Sequence, residues 1–134
     1  MTNVEKVMEY LNKANIFYVA TVSEDKPKCR PFSFKMTDGN KIYFAEGTFK
    51  AVYQQMQQNP NVEICASDGK GFLRYYGKAV FTDDAALLEK AFQSAPYLKG
   101  MYNDKTGYKL RLFCLTEATA EFRDLLHIKE ALDM

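Results

Sequence analysis

The sequence predicts a mainly β fold, an antiparallel sheet curled into a small barrel with α-helices set between its strands. Three observations point there. Six or seven β-branched and aromatic runs recur along the 134 residues, most of them joined by hairpin-length turns. Runs in the middle of the chain are apolar on both faces, as strands covered on each side require. Nine tyrosines and ten phenylalanines exceed what one small core hides, so the surplus is expected at a dimer interface or against a flat aromatic ligand.

Each element has its own signal. Thr2 and Glu5 make an S/T-x-x-E capping box, and Val4, Val7, Met8 and Leu11 repeat at helical spacing up to a stop at Asn15. "IFYVATVS" follows as a strand. "EDKPK" turns the chain into "KCRPFSFKM", where Pro31 interrupts a second strand, and "TDGN" is a hairpin turn into "KIYFAEG". The period then changes to helical: Phe49, Val52, Tyr53 and Met56 form a stripe, Thr48 is the expected N-cap, and Asn59-Pro60 ends the helix. "VEICAS" and "FLRYYGKAVFT" are strands joined by "DGKG". "DDAALLEKAFQSA" is a capped helix stopped before Pro96, "YLKGMYNDKTG" reads as looser chain, and "YKLRLFCL" and "ATAEFR" are the last strands. The tail "LLHIKEALDM" reads as a short helix.

Composition narrows the function classes. The length suits one domain, residues 1–134, with a real core. A formal charge of +1 gives no general attraction to nucleic acid or an anionic membrane, and no apolar run reaches the roughly 20 residues of a membrane span. The N-terminal residues carry acids and alternate in polarity, unlike a signal peptide. Three cysteines, Cys29, Cys65 and Cys114, are odd in number and form no C-x-x-C pair. Free thiols buried in strands are expected, with a cytoplasmic location. Dinucleotide, P-loop and nucleophile-elbow motifs are absent. The single histidine, His127, lies in the tail, so zinc hydrolase, Ser-His-Asp and histidine acid–base chemistry lack their parts, and no metal is expected. Asp83-Asp84 opens a helix, where acids suit the positive end of the dipole.

What remains is basic. Thr48 and Lys50 stand where a strand gives way to a helix, whose first amides and partial positive charge suit an anion. "EGTFK" is therefore either a phosphate cradle or an ordinary Thr cap beside an exposed lysine. Arg30 lies on the hairpin arm that precedes this segment and favours the cradle. Arg74 is a third cation near aromatics, or a solvated barrel arginine.

Taken together, "FYVATV", "RPFSF", "KIYFAEGTFKAVYQQMQQNPNVEICA" and "FLRYYGKAVFTDD" resemble the flavin-binding split-barrel proteins related to pyridoxamine 5′-phosphate oxidase, with the small nitroimidazole-reductase-like (Nim-type) branch the most similar. The resemblance runs from about Val4 to Glu121. It implies a six-stranded antiparallel split barrel, a homodimer, and FMN at the dimer interface. Arg30, Pro31, Phe32 and Ser33 match the strand beside the flavin, and Lys35 a second basic position of that strand. Ala45 and Glu46 match the end of the next strand, Thr48 and Lys50 the phosphate-binding turn, and Phe72, Leu73 and Arg74 a strand facing the cofactor partly from the other subunit. On this resemblance Pro31 would hold its strand in a bulged shape, and Arg30 would reach the anionic end. It implies an FMN-dependent oxidoreductase acting on a small-molecule substrate or with an electron donor such as a nicotinamide nucleotide, its catalytic residues unassigned. The alternative is a binder or carrier of a flavin, deazaflavin or haem without turnover. The tail "EFRDLLHIKEALDM" lacks the basic and histidine pattern of the vitamin oxidases. No histidine lies in the barrel, where the Nim-type enzymes use one. Both departures count against those two activities.

Overall fold

The computed structural model describes residues 1–134. Helix α1 (Asn3–Ala14) starts at the reciprocal capping box: the Glu5 amide donates to Thr2 Oγ1 at 3.1 Å, and the Thr2 amide to Glu5 Oε2 at 2.8 Å. It ends at Asn15, whose φ of 65° turns the chain while its amide closes on the Leu11 carbonyl. Eight strands follow: β1 (Phe17–Ser23), β2 (Lys26–Phe32), β3 (Met36–Asp38), β4 (Lys41–Gly47), β5 (Asn61–Ser67), β6 (Phe72–Thr82), β7 (Leu110–Arg123) and β8 (Ile128–Asp133). Helices α2 (Ala51–Gln58), α3 (Ala85–Ser94) and α4 (Tyr97–Met101) interrupt them. No helix is long and apolar enough to cross a membrane.

Every strand pair is antiparallel, in the order β2-β1-β5-β6-β7-β4-β3, with β8 added to β7. The two ends of that order, β2 and β3, are consecutive in the chain. Four residue steps from Phe32 to Met36 reach at most roughly 14 Å, whereas seven strands laid flat would separate the edges by about 29 Å. The sheet must therefore curl until its edges meet. Between β2 and β4 the wall is not sealed by ladder hydrogen bonds, which is the split in the barrel. The core sits at mid-barrel, where Phe17, Phe32, Phe44 and Phe113 form a ring of aromatic contacts with centroids 5.5–6.4 Å apart. Phe17, Phe44 and Phe113 are fully buried.

The mainly β split-barrel class matches the expectation, and several details differ. Six strands of seven residues or more make the barrel body, and β3 and β8 are two shorter additions. The tail is strand β8 rather than a helix. The free edge of β7 beyond the reach of β4 needs partners, and Ile128–Asp133 supplies them in register with Arg123–Thr119 while burying Leu132. "YLKGM" is helix α4 rather than loose chain, because Pro96 starts a helix instead of only stopping one, and Leu98 packs against Ala95, Tyr102 and Leu110. "YKLRLFCL" and "ATAEFR" are one strand, β7. The pairing runs regularly through Pro31 opposite Tyr18, so the expected bulge is absent. Pro31 sits on the edge strand β2, where a missing donor on the open side leaves no ladder bond unmade. Cys29 is exposed rather than buried, because β2 turns that face to solvent; all three thiols are free.

Candidate functional site

Moving along the inward faces of the barrel, the aromatic layer gives way to a polar one within two residues. On β2 the step is from Phe32 to Arg30, on β4 from Phe44 to Glu46, and on β7 from Phe113 to Arg111, while β1 passes from Val19 to Thr21. Alternate residues share a face of a strand, so these groups gather at one end of the barrel, which α2 covers. Burial there forces hydrogen bonding. Thr21 donates to Gln55 Oε1 at 2.6 Å, and Arg30 donates to Thr21 Oγ1 at 2.8 Å, to the Val19 carbonyl at 3.0 Å and to Gln55 Oε1 at 2.8 Å. Arg111 pairs twice with Asp83 (2.9 and 3.0 Å) and donates to the Tyr53 hydroxyl at 2.7 Å. Arg30 is thus a braced cation: of its five donors, Nε–H and one Nη2 hydrogen stay open. Partial burial lowers its pKa from the ordinary value.

Beside this layer a cleft of about 190 Å³ opens at the split between β2 and β4. Arg30, Pro31, Phe32, Ser33 and Phe34 line it from the β2 side and Ala45 and Glu46 from β4, and Lys50, Val52, Leu98, Met101 and Tyr102 complete the lining. Glu46 is only 3% exposed. Its Oε1 accepts from the Gly47 amide at 2.9 Å and lies 3.7 Å from Lys50 Nζ, an ion-pair distance rather than a hydrogen bond. Burial raises the Glu46 pKa, with Lys50, the Gly47 amide and Arg30 pulling the other way. Tyr102 is likewise raised, by burial and then by the Glu46 charge. Gly47 permits this packing: a Cβ there would stand 2.7 Å from the Tyr102 hydroxyl.

The start of α2 is the other chemically open feature. Lys50, not Thr48, is its N-cap, and no side chain caps it. Thr48 is held back because its amide bonds the Lys109 carbonyl, and Phe49 stacks on Tyr108 at 4.0 Å outside the helix. The Ala51 and Val52 amides therefore have no intramolecular acceptor.

The structure brings together Arg30, Pro31, Phe32, Ser33, Ala45, Glu46 and Lys50 of the sequence-predicted residues. Thr48 lines a neighbouring cleft of about 490 Å³ with Asp83, Tyr108 and Arg111 instead. Lys35 folds back, donating to the Ser33 carbonyl at 3.1 Å with Nζ 5.8 Å from the centre of the Phe17 ring, and burial lowers its pKa. Leu73 is fully buried in the core, so its side chain offers no ligand-facing surface. Phe72 and Arg74 lie on the opposite, outward face of β6, where Arg74 stands 3.8 Å from Glu63. Sequence reasoning missed Thr21, Gln55, Tyr102 and Arg111. The one available signal was a charged residue two positions from a phenylalanine, repeated in "RPF", "FAE" and "RLF".

A family model described as "Pyridoxamine 5′-phosphate oxidase" matches residues 4–123. General stress protein 26 of Bacillus subtilis is 32% identical over 97 residues, 67% of each chain. A NimC/NimA family protein from Clostridium acetobutylicum superposes with a TM-score of 0.87 at 27% identity, over 98% of this chain and 92% of that one. A pyridoxamine 5′-phosphate oxidase-related, FMN-binding protein from Nostoc punctiforme shares the fold at a TM-score of 0.60 and 16% identity, over 100% of this chain and 98% of that one.

Proposed function

The chain belongs to the pyridoxamine 5′-phosphate oxidase family, and on that premise we propose that it holds FMN in the cleft between β2 and β4 and acts as a flavin-dependent oxidoreductase. The observation that carries this reading is that Arg30, with an open guanidinium edge, Lys50 and Val52 all line that cleft beside the start of α2, whose Ala51 and Val52 amides are unpaired. An alkyl phosphate needs positive charge and several donors, and these groups are of the right kind and unspent. The Nostoc punctiforme protein of the same fold is described as FMN-binding, which supports the same cofactor. Bound there, a flavin would supply the electron transfer, and the protein its orientation and electrostatics. Lys50 and the α2 amides would hold the phosphate. The main chain of Pro31–Ser33 would offer donors and acceptors to the ring edge, and Phe34, Leu98 and Met101 would keep water from it.

One chain's cleft is smaller than the roughly 300–1,000 Å³ usual for ligand sites of this kind. A homodimer would complete the enclosure. The outward faces of β1 and β6 carry Tyr18, Arg74 and Tyr76, and Phe72 and Arg74 would approach the cofactor from the partner. The test is direct. The purified protein should be yellow or should quench the fluorescence of added FMN to saturation at one flavin per chain, and it should sediment near twice its monomer mass. A colourless protein that leaves FMN fluorescence unchanged would end the proposal.

A non-catalytic flavin carrier is the second reading. The only histidine, His127, stands exposed on the β7–β8 turn and is not among the residues that line the cleft, so this chain brings no imidazole to its own cleft wall. Anaerobic reduction of the bound flavin by a nicotinamide nucleotide, followed by steady turnover with an acceptor, would exclude it.

A further inference from the structure

Glu46 is a carboxylate buried inside the group of cations that would receive a phosphate, and this is an arrangement a simple phosphate cradle does not need. Lys50 approaches it from the start of α2 at 3.7 Å, Arg30 faces it from β2, and Tyr102 from the segment after α4; Tyr97 of α4 lines the same cleft. Arg111, its ladder partner on β7, is turned to Asp83 and Tyr53 and leaves Glu46 to the others. Solvent screens it little, because its surroundings are protein. Like charges a few ångströms apart repel strongly at the effective dielectric of a protein interior, and a dianionic phosphate doubles the repulsion a single charge would give. An ionised Glu46 and a bound dianion are therefore incompatible at close range unless one of them takes a proton.

We propose that Glu46 is a proton-coupled selector for the phosphorylated cofactor: it binds a proton when FMN enters and stays ionised or neutral, unchanged, when a flavin without phosphate does. This rests on FMN occupying the β2–β4 cleft. Burial already raises the Glu46 pKa from its ordinary value, against the pull of Lys50, the Gly47 amide and Arg30, and an incoming dianion acts in the same direction as burial. The sign follows from linkage. A group whose pKa rises on binding takes up protons, so affinity is greatest at low pH and falls as pH rises through the bound-state value, by at most about tenfold per pH unit.

The test compares FMN with riboflavin by fluorescence titration between about pH 5 and about pH 8, on wild type and Glu46→Gln. The phosphate's own second ionisation is common to both proteins and cancels in their ratio. Wild-type affinity for FMN should weaken several-fold relative to Glu46→Gln across that range, while riboflavin shows no such difference. Calorimetry in two buffers of different ionisation enthalpy counts the protons taken up by each protein, and on the wild type alone it guards against a misfolded variant. Settling on cations makes the phosphate release its residual proton, so net uptake on binding FMN must come from the protein. Parallel pH profiles in wild type and variant, or proton uptake on binding FMN no greater in wild type than in Glu46→Gln, would overturn the role of Glu46 while leaving FMN binding intact. Failure of FMN to bind at any pH would remove the cofactor reading and this inference with it.

Discussion

Two adjacent layers of the barrel interior are built on the same strands and do opposite things. In one, Phe17, Phe32, Phe44 and Phe113 make a dry aromatic ring. In the next, two residues along each strand, Thr21 and Arg30 are hydrogen-bonded to Gln55, Arg111 to Asp83 and Tyr53, and Glu46 is buried against the Gly47 amide. The first layer obtains its free energy from apolar burial and needs nothing else. The second spends its donors on fixing geometry: Arg30 uses at least three hydrogens to hold its place. The barrel stabilises itself at mid-height, and its charged end, which contributes less apolar burial, is the part the proposed ligand would use.

The sharpest way to break that division is to truncate the aromatic ring. Phe44 is fully buried and touches Phe17, Tyr75 and Phe113, so Phe44→Ala should cost about 3–5 kcal/mol of stability, read as a lower denaturant midpoint. Ligand affinity, measured where the variant is still folded, should fall much less. A loss confined to affinity would mean that the two layers are not separable.

The converse substitution is at the mouth of the cleft. Lys50 is half-exposed and bridges only to Glu46, so Lys50→Ala should leave the denaturant midpoint nearly unchanged. FMN affinity should weaken by on the order of 1–3 kcal/mol through loss of a charge-assisted contact, while riboflavin affinity holds. Equal losses for both flavins would move the phosphate away from α2.

How much of this division the chain announces in advance differs between its parts. The aromatic surplus was legible in composition, but which phenylalanines meet was not: β4 and β7 bury both faces, so alternation does not choose between Tyr43 and Phe44 or between Leu112 and Phe113. The two strand walls of the cleft were legible because Arg30 and Glu46 flank landmarks, a proline in one strand and a strand–helix junction after the other. Thr21 and Gln55 were not. They are uncharged and 34 residues apart, and only the packing of α2 across the barrel end makes them partners. The α4 wall was hidden because Pro96 stops one helix and starts another, and local signals describe only the first role. The tail was misread for a different cause. Its Leu, Lys, Glu and Ala residues favour a helix, but so short a helix gains little on its own, and the unpaired edge of β7 outweighs it.

The smallest effect expected is also the one that asks whether the polar layer costs stability. Glu46 has a folded-state pKa raised by burial, so the native state binds its proton more tightly than the unfolded chain does. Stability should then be highest below the unfolded value, near about 4.3, and should decline as pH rises from there through the raised folded value, staying lower above it. Glu46→Gln keeps an oxygen for the Gly47 amide and cannot ionise, so that decline should be absent and the variant should match or exceed wild type at neutral pH. Thermal unfolding at matched ionic strength across the acid-to-neutral range reads the difference. If wild type instead gains stability over Glu46→Gln as pH rises, then Lys50 and Arg30 more than offset burial. The carboxylate would then belong with the structural hydrogen bonds of Arg30 and Arg111 rather than with the strained residues of a binding site.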